Sequence, residues 1–182
     1  MRRFILATAC LLACTLGMAS GAPHAADRQG RSIGKTTLAH VGGQIAHYQQ
    51  ETWRWERLMG VQLAATSGRT LAAMDPAAVQ HAVALWRRRA VQARIRAQHP
   101  PQLRAWLCIH RYEGSWTDTN APYYGGLQMD VSFQHSYGGW LYTRKGTADH
   151  WSPLEQIWVA EKALKSRGFW PWPNTARYCG LL

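Results

Sequence analysis

Apolar residues recur at helical spacing in the first half of the chain. Residues 27–48 hold few large apolar groups, which predicts a mobile linker with a weak helix near its end, and residues 47–60 predict a short amphipathic helix. A longer helix is predicted to begin after Asp75, an N-cap side chain followed by Pro76 in the first turn, and to end at Pro100. Its apolar stripe consists of Val79, Val83, Trp86 and Ala90.

Beyond residue 102 the pattern predicts a compact helical domain. Its first helix ends at Gly114, directly after Glu113. The apolar side of that helix consists of Leu103, Trp106, Leu107 and His110. The sequence Tyr123-Tyr124-Gly125-Gly126 favours a bent hairpin or an irregular turn.

Two further helices and a proline-rich tail follow the predicted hairpin. Residues 131–137 predict a short helix that ends at Gly138. The sequence Ser152-Pro153-Leu154-Glu155 is a capping box, and the helix that it begins ends at Gly168. Residues 169–173 are too rich in proline for a regular element and are predicted to wrap the core. The expected fold class is mainly α, with one short irregular hairpin.

The first 26 residues are predicted to be an export signal. Arg2 and Arg3 precede an uncharged, mostly apolar run of 16 residues, after which small residues follow. That run is shorter than the roughly 20 residues that span a bilayer. A lipid anchor at Cys14, within a sequence that loosely resembles a lipoprotein box, is the minor alternative. We therefore expect a secreted protein.

Removal of the signal would leave two cysteines, Cys108 and Cys179. Because exported proteins meet an oxidising compartment, these two thiols are predicted to pair. A catalytic cysteine is the competing interpretation, but no His/Asn signature surrounds either residue. A domain of about 80 residues has a small core, so a disulfide would contribute useful stability.

The formal charge of +11 is concentrated in the first part of the chain. Residues 1–104 hold 14 Lys/Arg against four Asp/Glu, whereas residues 105–182 hold seven against six, together with seven of the ten tryptophans. The basic half is predicted to bind an anionic cell-wall or membrane surface. Nucleic acid is the alternative partner for any basic chain, but no nucleic-acid-binding motif supports it. We expect the protein to be a monomer.

Glu113 is the candidate catalytic residue. Cleavage of a sugar chain needs an acid that protonates the leaving oxygen. Apolar walls favour the protonated form of such an acid, and Tyr112 and Trp116 are sequence neighbours that could supply them. A glutamate at a helix end is by itself more often a surface residue, so the inference depends on the surrounding aromatic block.

Residues suited to sugar binding flank Glu113. Gly125-Gly126 would let the backbone approach a sugar, or would simply form a tight turn. Gln128 offers an amide donor and acceptor. Stacking on sugar faces is predicted for Trp116, Tyr124, Tyr137 and Trp140, although any one aromatic residue is more often part of a core.

A second carboxylate could assist Glu113, and Asp118 and Asp130 are the nearby candidates. The favoured interpretation of both is structural, because Asp118 lies in a polar turn and Asp130 precedes a predicted helix. The eight histidines show no ligand spacing, so neither a metal site nor a cofactor is predicted.

Residues 105–182 resemble the catalytic domain of resuscitation-promoting factors, a transglycosylase-like family of lysozyme-like peptidoglycan cleavers. The resemblance is carried by Glu113-Gly114-Ser115-Trp116, Tyr123-Tyr124-Gly125-Gly126-Leu127-Gln128, Tyr137-Gly138-Gly139, Leu154-Glu155-Gln156 with Val159-Ala160-Glu161, and Trp170-Pro171-Trp172-Pro173. It implies a small lysozyme-like fold, catalysis by Glu113, a role for Gln128, and cutting of the bond between N-acetylmuramic acid and N-acetylglucosamine without a metal or cofactor.

The chain departs from that family pattern around the acid. The family has Cys-Glu-Ser-Gly-Gly, whereas here Tyr112 precedes Glu113 and the cysteine lies one helical turn earlier, at Cys108. Cys179 is also displaced from the Trp172-Pro173 pair. Compared with the family, both ends of the bridge have moved, which implies a shifted but retained disulfide.

These observations predict three parts and one principal function. The parts are a signal peptide (residues 1–26), a basic linker and helical extension (27–101) and a lysozyme-like catalytic domain (102–182). The expected function is that of an exported, cell-wall-associated glycosidase of peptidoglycan, either a lytic transglycosylase or a muramidase. The alternative is a non-catalytic wall-binding protein with the same fold.

Overall fold

The computed structural model describes residues 35–68 and 70–182. The predicted signal peptide, the possible lipid anchor at Cys14 and residues 27–34 of the predicted linker lie outside these residues. Within them, no helix combines the length and the apolar character needed to cross a membrane.

The first two helices pack against each other. Helix α1 (Lys35–Met59) and helix α2 (Pro76–Ala97) are separated by a segment that includes one turn of 3₁₀-helix, Leu71–Ala73. The prediction of a linker up to residue 48 is wrong from residue 35 onward. Val41 and Ile45 continue the apolar stripe of α1 and bury it against Val79 and Trp86, so tertiary packing stabilises a helix where the composition is poor.

Helix α2 follows the prediction closely. The Asp75 side chain accepts the Ala78 N–H at 2.9 Å, Pro76 occupies the first turn, and the helix ends at Ala97 before the two prolines. Its arginines at positions 87, 88, 94 and 96 are exposed. The stripe facing α1 and the core includes Val79, Trp86 and Ala90.

The remaining elements are helical apart from one hairpin, which confirms the predicted fold class. Strand β1 (Tyr123–Tyr124) pairs antiparallel with strand β2 (Met129–Asp130). The helices are α3 (Leu103–Glu113), α4 (Val131–Lys145), α5 (Pro153–Arg167) and α6 (Pro173–Tyr178), with a 3₁₀ turn at Ala148–His150. The capping box at Ser152 and the end of α5 at Gly168 are confirmed.

Three local predictions need correction. The helix that begins at Val131 is interrupted at Gly138, where φ −123° and ψ 20° are not helical, as predicted, but a second helical segment follows directly, so that α4 as a whole continues to Lys145. The proline-rich tail leads into helix α6, because Pro173 is well placed in a first helical turn. In α3, Leu107 is exposed and Ile109 is buried in its place.

One hydrophobic core joins the helical extension to the C-terminal helices. Leu58 from α1 and Ala97 from α2 belong to the same cluster as Trp106 and Trp158. The Trp158 indole N–H donates to the Ala97 carbonyl at 2.7 Å. The extension is therefore packed against the predicted catalytic domain, whose boundary near residue 102 stays a prediction.

The predicted disulfide is confirmed. Cys108 in α3 is bonded to Cys179, the residue that follows α6, and their Cα atoms lie 6.0 Å apart. The bond closes a loop with a sequence separation of 71 residues. It therefore fixes the C-terminal segment to the helix that ends in Glu113.

Replacing both cysteines by serine should lower the free energy of unfolding by up to about 4 kcal/mol, because the unfolded chain regains the freedom of this long loop. Urea unfolding at neutral pH measures the change. Reduction of the unaltered protein should give the same loss, and equal unfolding midpoints for the double variant and the unaltered protein would contradict the prediction.

Glu155 should contribute stability that depends on pH. Burial by itself would raise the pKa of Glu155, but the hydrogen bond from Lys145, the Ser152 N–H and the positive charge of Lys145 outweigh burial and lower that pKa. The contribution is therefore present above the ordinary value of 4.5 and lost as the pH falls through the lower, folded-state value. Glu155→Gln should flatten the fall of unfolding free energy between neutral pH and about pH 3. Glu51→Gln, which removes only a 3.9 Å pair with Arg54, should leave that fall in place.

Candidate active site

Glu113 occupies the last position of helix α3. The helix ends there because Gly114 adopts φ 147° and ψ −164°, a backbone conformation that essentially only glycine tolerates. The half-buried Glu113 side chain lines a cleft of about 370 Å³. The other residues that line this cleft are Tyr123, Gln128, Pro171, Trp172, Pro173, Asn174 and Thr175.

Thr175 fixes one oxygen of the Glu113 carboxyl group. Its hydroxyl donates to Oε1 of Glu113 at 2.7 Å, although the two residues are 62 positions apart in sequence. Among the described residues no group donates to Oε2. The second oxygen is therefore left for a ligand in the cleft.

Gln128, one of the predicted sugar-binding residues, lines the same cleft. Its Nε2 donates to the Gly125 carbonyl at 3.0 Å and to Oδ2 of Asp118 at 2.8 Å, and its backbone is held at φ 47°. A Cβ placed on Gly114 would lie 3.5 Å from both Nε2 of Gln128 and Oδ2 of Asp118, so this pair is adjacent to the end of α3. Nothing in the described part of the chain donates to the Gln128 side-chain carbonyl, which can accept from a sugar hydroxyl or amide.

Asp118 and Asp130 both have structural contacts. Oδ1 of Asp118 accepts the Asn120 N–H at 3.1 Å, and Asp130 caps α4 by accepting the Phe133 N–H at 2.7 Å. These are the contacts that the structural interpretation predicted. Glu113 is then the one carboxylate that lines the cleft among the residues described. Within the same residues, no three His, Cys, Asp or Glu side chains come together in a group able to hold a metal ion.

The aromatic rings predicted to contact sugar do not line the Glu113 cleft. Trp116 stacks on His110 with ring centroids 3.8 Å apart, and Tyr124 is half-buried against the core. Tyr137 packs on Phe133, and its hydroxyl lies 3.3 Å from the Ser166 hydroxyl. These three rings are therefore packed against other residues of the protein. The fourth, Trp140, lines a separate cleft.

The apolar wall of the Glu113 cleft also differs from the expected one. Tyr112 is 53% exposed and packs on Tyr178, with ring centroids 5.6 Å apart. The wall consists of Pro171, Trp172 and Pro173 instead. The proline-rich tail therefore supplies the apolar surface that the sequence assigned to the neighbours of Glu113.

The Gly125-Gly126 turn is packed against side chains of the protein itself. A Cβ on Gly125 would lie 2.5 Å from Oε1 of Gln156, and a Cβ on Gly126 would lie 2.6 Å from Nδ1 of His110 and from the Trp116 ring. Oε1 of Gln156 accepts the Gly126 N–H at 2.8 Å. These contacts agree with the tight-turn alternative, and the two glycines are needed for internal packing.

Sequence reasoning missed Thr175, Tyr123 and Gln156. Thr175 and Gln156 act on residues far away in sequence, so no local signal marks them. Tyr123 was part of a recognised motif, and strand alternation could have separated it from Tyr124, because adjacent strand residues point to opposite faces.

Comparison with known proteins gives one partial similarity. The chain is 37% identical over 75 residues to the resuscitation-promoting factor RpfE of Mycobacterium tuberculosis (strain ATCC 25618 / H37Rv). The match covers 40% of this chain, and the chain spans about 41% of the length of that relative. No protein-family model matches the sequence, and no solved structure matches the fold.

Gly126→Ala should destabilise the protein by about 1–3 kcal/mol, because the added methyl group overlaps the stacked His110 and Trp116 rings. Thermal and urea unfolding measure the loss. Gly43→Ala is the matched control: it lies within α1 with nothing within 4 Å of the new Cβ, and it should gain about 0.5–1 kcal/mol. Equal stability of the two variants would show that the turn is not tightly packed.

Proposed function

We propose that this protein cleaves the glycan strands of peptidoglycan outside the cell, with Glu113 as the general acid. The observation that carries the proposal is the Glu113 carboxyl group, fixed at Oε1 by Thr175 in a cleft with a proline and tryptophan wall. The partial similarity to a resuscitation-promoting factor and the family resemblance of residues 105–182 support it. The bond between N-acetylmuramic acid and N-acetylglucosamine is the proposed target.

The geometry favours a mechanism with one carboxyl group. Protonated Glu113 donates its proton to the glycosidic oxygen as the bond to the sugar carbon breaks. The resulting carboxylate then takes the proton of the muramyl 6-hydroxyl group. The 6-oxygen bonds to the sugar carbon from which the leaving oxygen departed, which closes an internal ring. Asp118 and Asp130 are engaged by backbone N–H groups, so lytic transglycosylation is the proposed reaction.

Gln128 and Tyr123 are the proposed sugar-binding residues of this cleft. Gln128 is held by Asp118 and by the Gly125 carbonyl, which orients its free carbonyl oxygen without help from a substrate. Such preorganisation reduces the entropy lost on binding. Tyr123 is 50% exposed in the same cleft and offers an aromatic face and a hydroxyl group.

A non-catalytic wall-binding protein is the second candidate function. It is favoured by the exposed arginines of α2 and by the position of Trp116, Tyr124 and Tyr137, which are packed in the protein and do not line the cleft. The two candidates share an exported, wall-associated location. They differ in whether fragments are released from the wall.

Glu113→Gln should reduce the release of soluble fragments from purified wall sacculi by at least about a hundredfold, since the amide cannot donate a proton to the leaving oxygen. Chromatography with mass spectrometry measures the fragments. The variant should still sediment with sacculi, because the shape of the side chain is retained.

Asp75→Asn is the matched control for this change. It also converts a carboxylate to an amide, but at the start of α2, where asparagine remains a good N-cap, and release should be unchanged. Fragments with anhydromuramyl ends are expected, and reducing ends would instead indicate hydrolysis. Equal release by Glu113→Gln and the unaltered protein would remove Glu113 from the mechanism, and no release by either would favour wall binding without catalysis.

A further inference from the structure

A second cleft, of about 600 Å³, lies between α1 and the C-terminal half of α4, beside the start of α5, and is lined by Trp140. Its α1 wall consists of Gln50, Glu51, Trp53, Arg54 and Arg57. Its other wall is formed by Trp140, Arg144 and Lys145 from α4 and Glu155 from α5. The Glu113 cleft shares no residue with it.

The second cleft has an excess of positive charge that the protein does not neutralise. Lys145 is bonded to both carboxylate oxygens of Glu155, at 2.7 and 2.8 Å. Arg54 lies 3.9 Å from Glu51, a loose pair. Within residues 37–68 and 70–182, neither Arg57 nor Arg144 pairs with a carboxylate. Two guanidinium groups are therefore available, and guanidinium forks match the geometry of carboxylate and phosphate groups.

An aromatic surface adjoins these guanidinium groups. The Cζ atom of Arg57 lies 5.9 Å from the centroid of the Trp140 ring, and Trp53 lines the cleft from α1. Nε1 of Trp140 is inaccessible to water and donates to no described group. A group that no water molecule reaches is closed to a ligand as well, so the Trp140 ring, and not its N–H, is the surface that lines the cleft.

The remaining polar residues narrow the class of ligand. Gln50 and Glu51 can accept hydrogen bonds from hydroxyl groups, and an aromatic face suits the apolar face of a sugar ring. The two unpaired guanidinium groups among the described residues of this cleft match one anionic group, whereas a nucleic acid presents a row of phosphates. We propose that the second cleft binds a sugar that carries one carboxylate or phosphate group, with Arg57 and Arg144 on the anion and Trp140 against the ring. This site is independent of the role proposed for Glu113.

Titration of the full chain with small sugars tests the site. The probes are N-acetylmuramic acid, with a carboxylate, N-acetylglucosamine 6-phosphate, with a phosphate, and uncharged N-acetylglucosamine. Calorimetry should give at least tenfold tighter binding for one or both anionic sugars, and the tighter of the two identifies the anion. The indole N–H resonance of Trp140 in ¹⁵N spectra should shift on binding. Equal affinity for all three sugars would overturn the proposal.

Paired arginine variants locate the binding. Arg57→Gln with Arg144→Gln should weaken binding of the anionic sugar at least tenfold, and lysine at both positions should weaken it less, because charge is kept while the fork is lost. Arg104→Gln with Arg177→Gln removes the same charge from two exposed arginines outside both clefts and should leave affinity unchanged. The Trp140 resonance belongs to the second cleft and not to the Glu113 cleft, so its shift separates binding at this site from sugar binding beside Glu113.

Two outcomes would contradict the assignment. Equal losses from the two arginine pairs would show a general charge effect without a site. A DNA oligonucleotide could instead bind more tightly than any of the three sugars and lose that binding when Arg57 and Arg144 are both replaced by glutamine. That result would make nucleic acid the occupant. If the glutamine pair lowers the thermal midpoint, the lysine pair and Trp140→Leu, which lacks the aromatic ring, decide the question. Unchanged affinity in both variants would overturn the proposal.

Discussion

The buried side-chain amide of Gln156 holds together the segments that support the Glu113 cleft. Its Oε1 accepts the Gly126 N–H at 2.8 Å, and its Nε2 lies within hydrogen-bond distance of the carbonyls of Trp116, Ala148 and Trp151. The residue is completely buried in α5. A change at this position would leave several buried backbone groups without partners at once. Each unpaired buried polar group costs about 1–3 kcal/mol.

The contacts of Gln156 continue outward to both walls of the cleft. On one side, the Gly125 N–H donates to the Asp118 carbonyl at 2.8 Å, and Gln128 donates to Gly125 and Asp118. On the other side, the Trp172 indole N–H donates to the Leu127 carbonyl at 2.7 Å. The hairpin turn is thus bonded both to the core and to the segment that carries Thr175. The position of the Glu113 carboxyl group relative to Gln128 is therefore set by contacts within the protein, which no substrate has to form.

The sequence was informative where structure depends on neighbouring residues. The caps at Asp75 and Ser152 and the helix end at Gly114 follow from local hydrogen bonding and backbone preference, and all are observed. The disulfide also followed, from the number of cysteines and the expected compartment. Glu113 was identified because an acid at a helix end was followed by a recognisable motif.

The positions that could not be predicted depend on packing between distant segments. Helix α1 extends to Lys35 because α2 covers its apolar stripe, a contact that composition does not reveal. Thr175 reaches Glu113 only because α6 lies against the end of α3. Trp140 was predicted to contact sugar beside Glu113, but the kink at Gly138 separates the two halves of α4, and Trp140 lines the other cleft.

The residue before the acid takes part in the same contact between α3 and α6 as the disulfide. Three contacts join α3 to α6 and its end: the Cys108–Cys179 bond, the Tyr112–Tyr178 ring pair and the Glu113–Thr175 hydrogen bond. The covalent bond lies one helical turn before position 112, where an aromatic ring packs on Tyr178. The bond then fixes the distance between the two helices, while the hydrogen bond next to it sets the orientation of the carboxyl group. In this arrangement the disulfide supports the position of the Glu113 carboxyl group from five residues earlier in α3 and does not line the cleft.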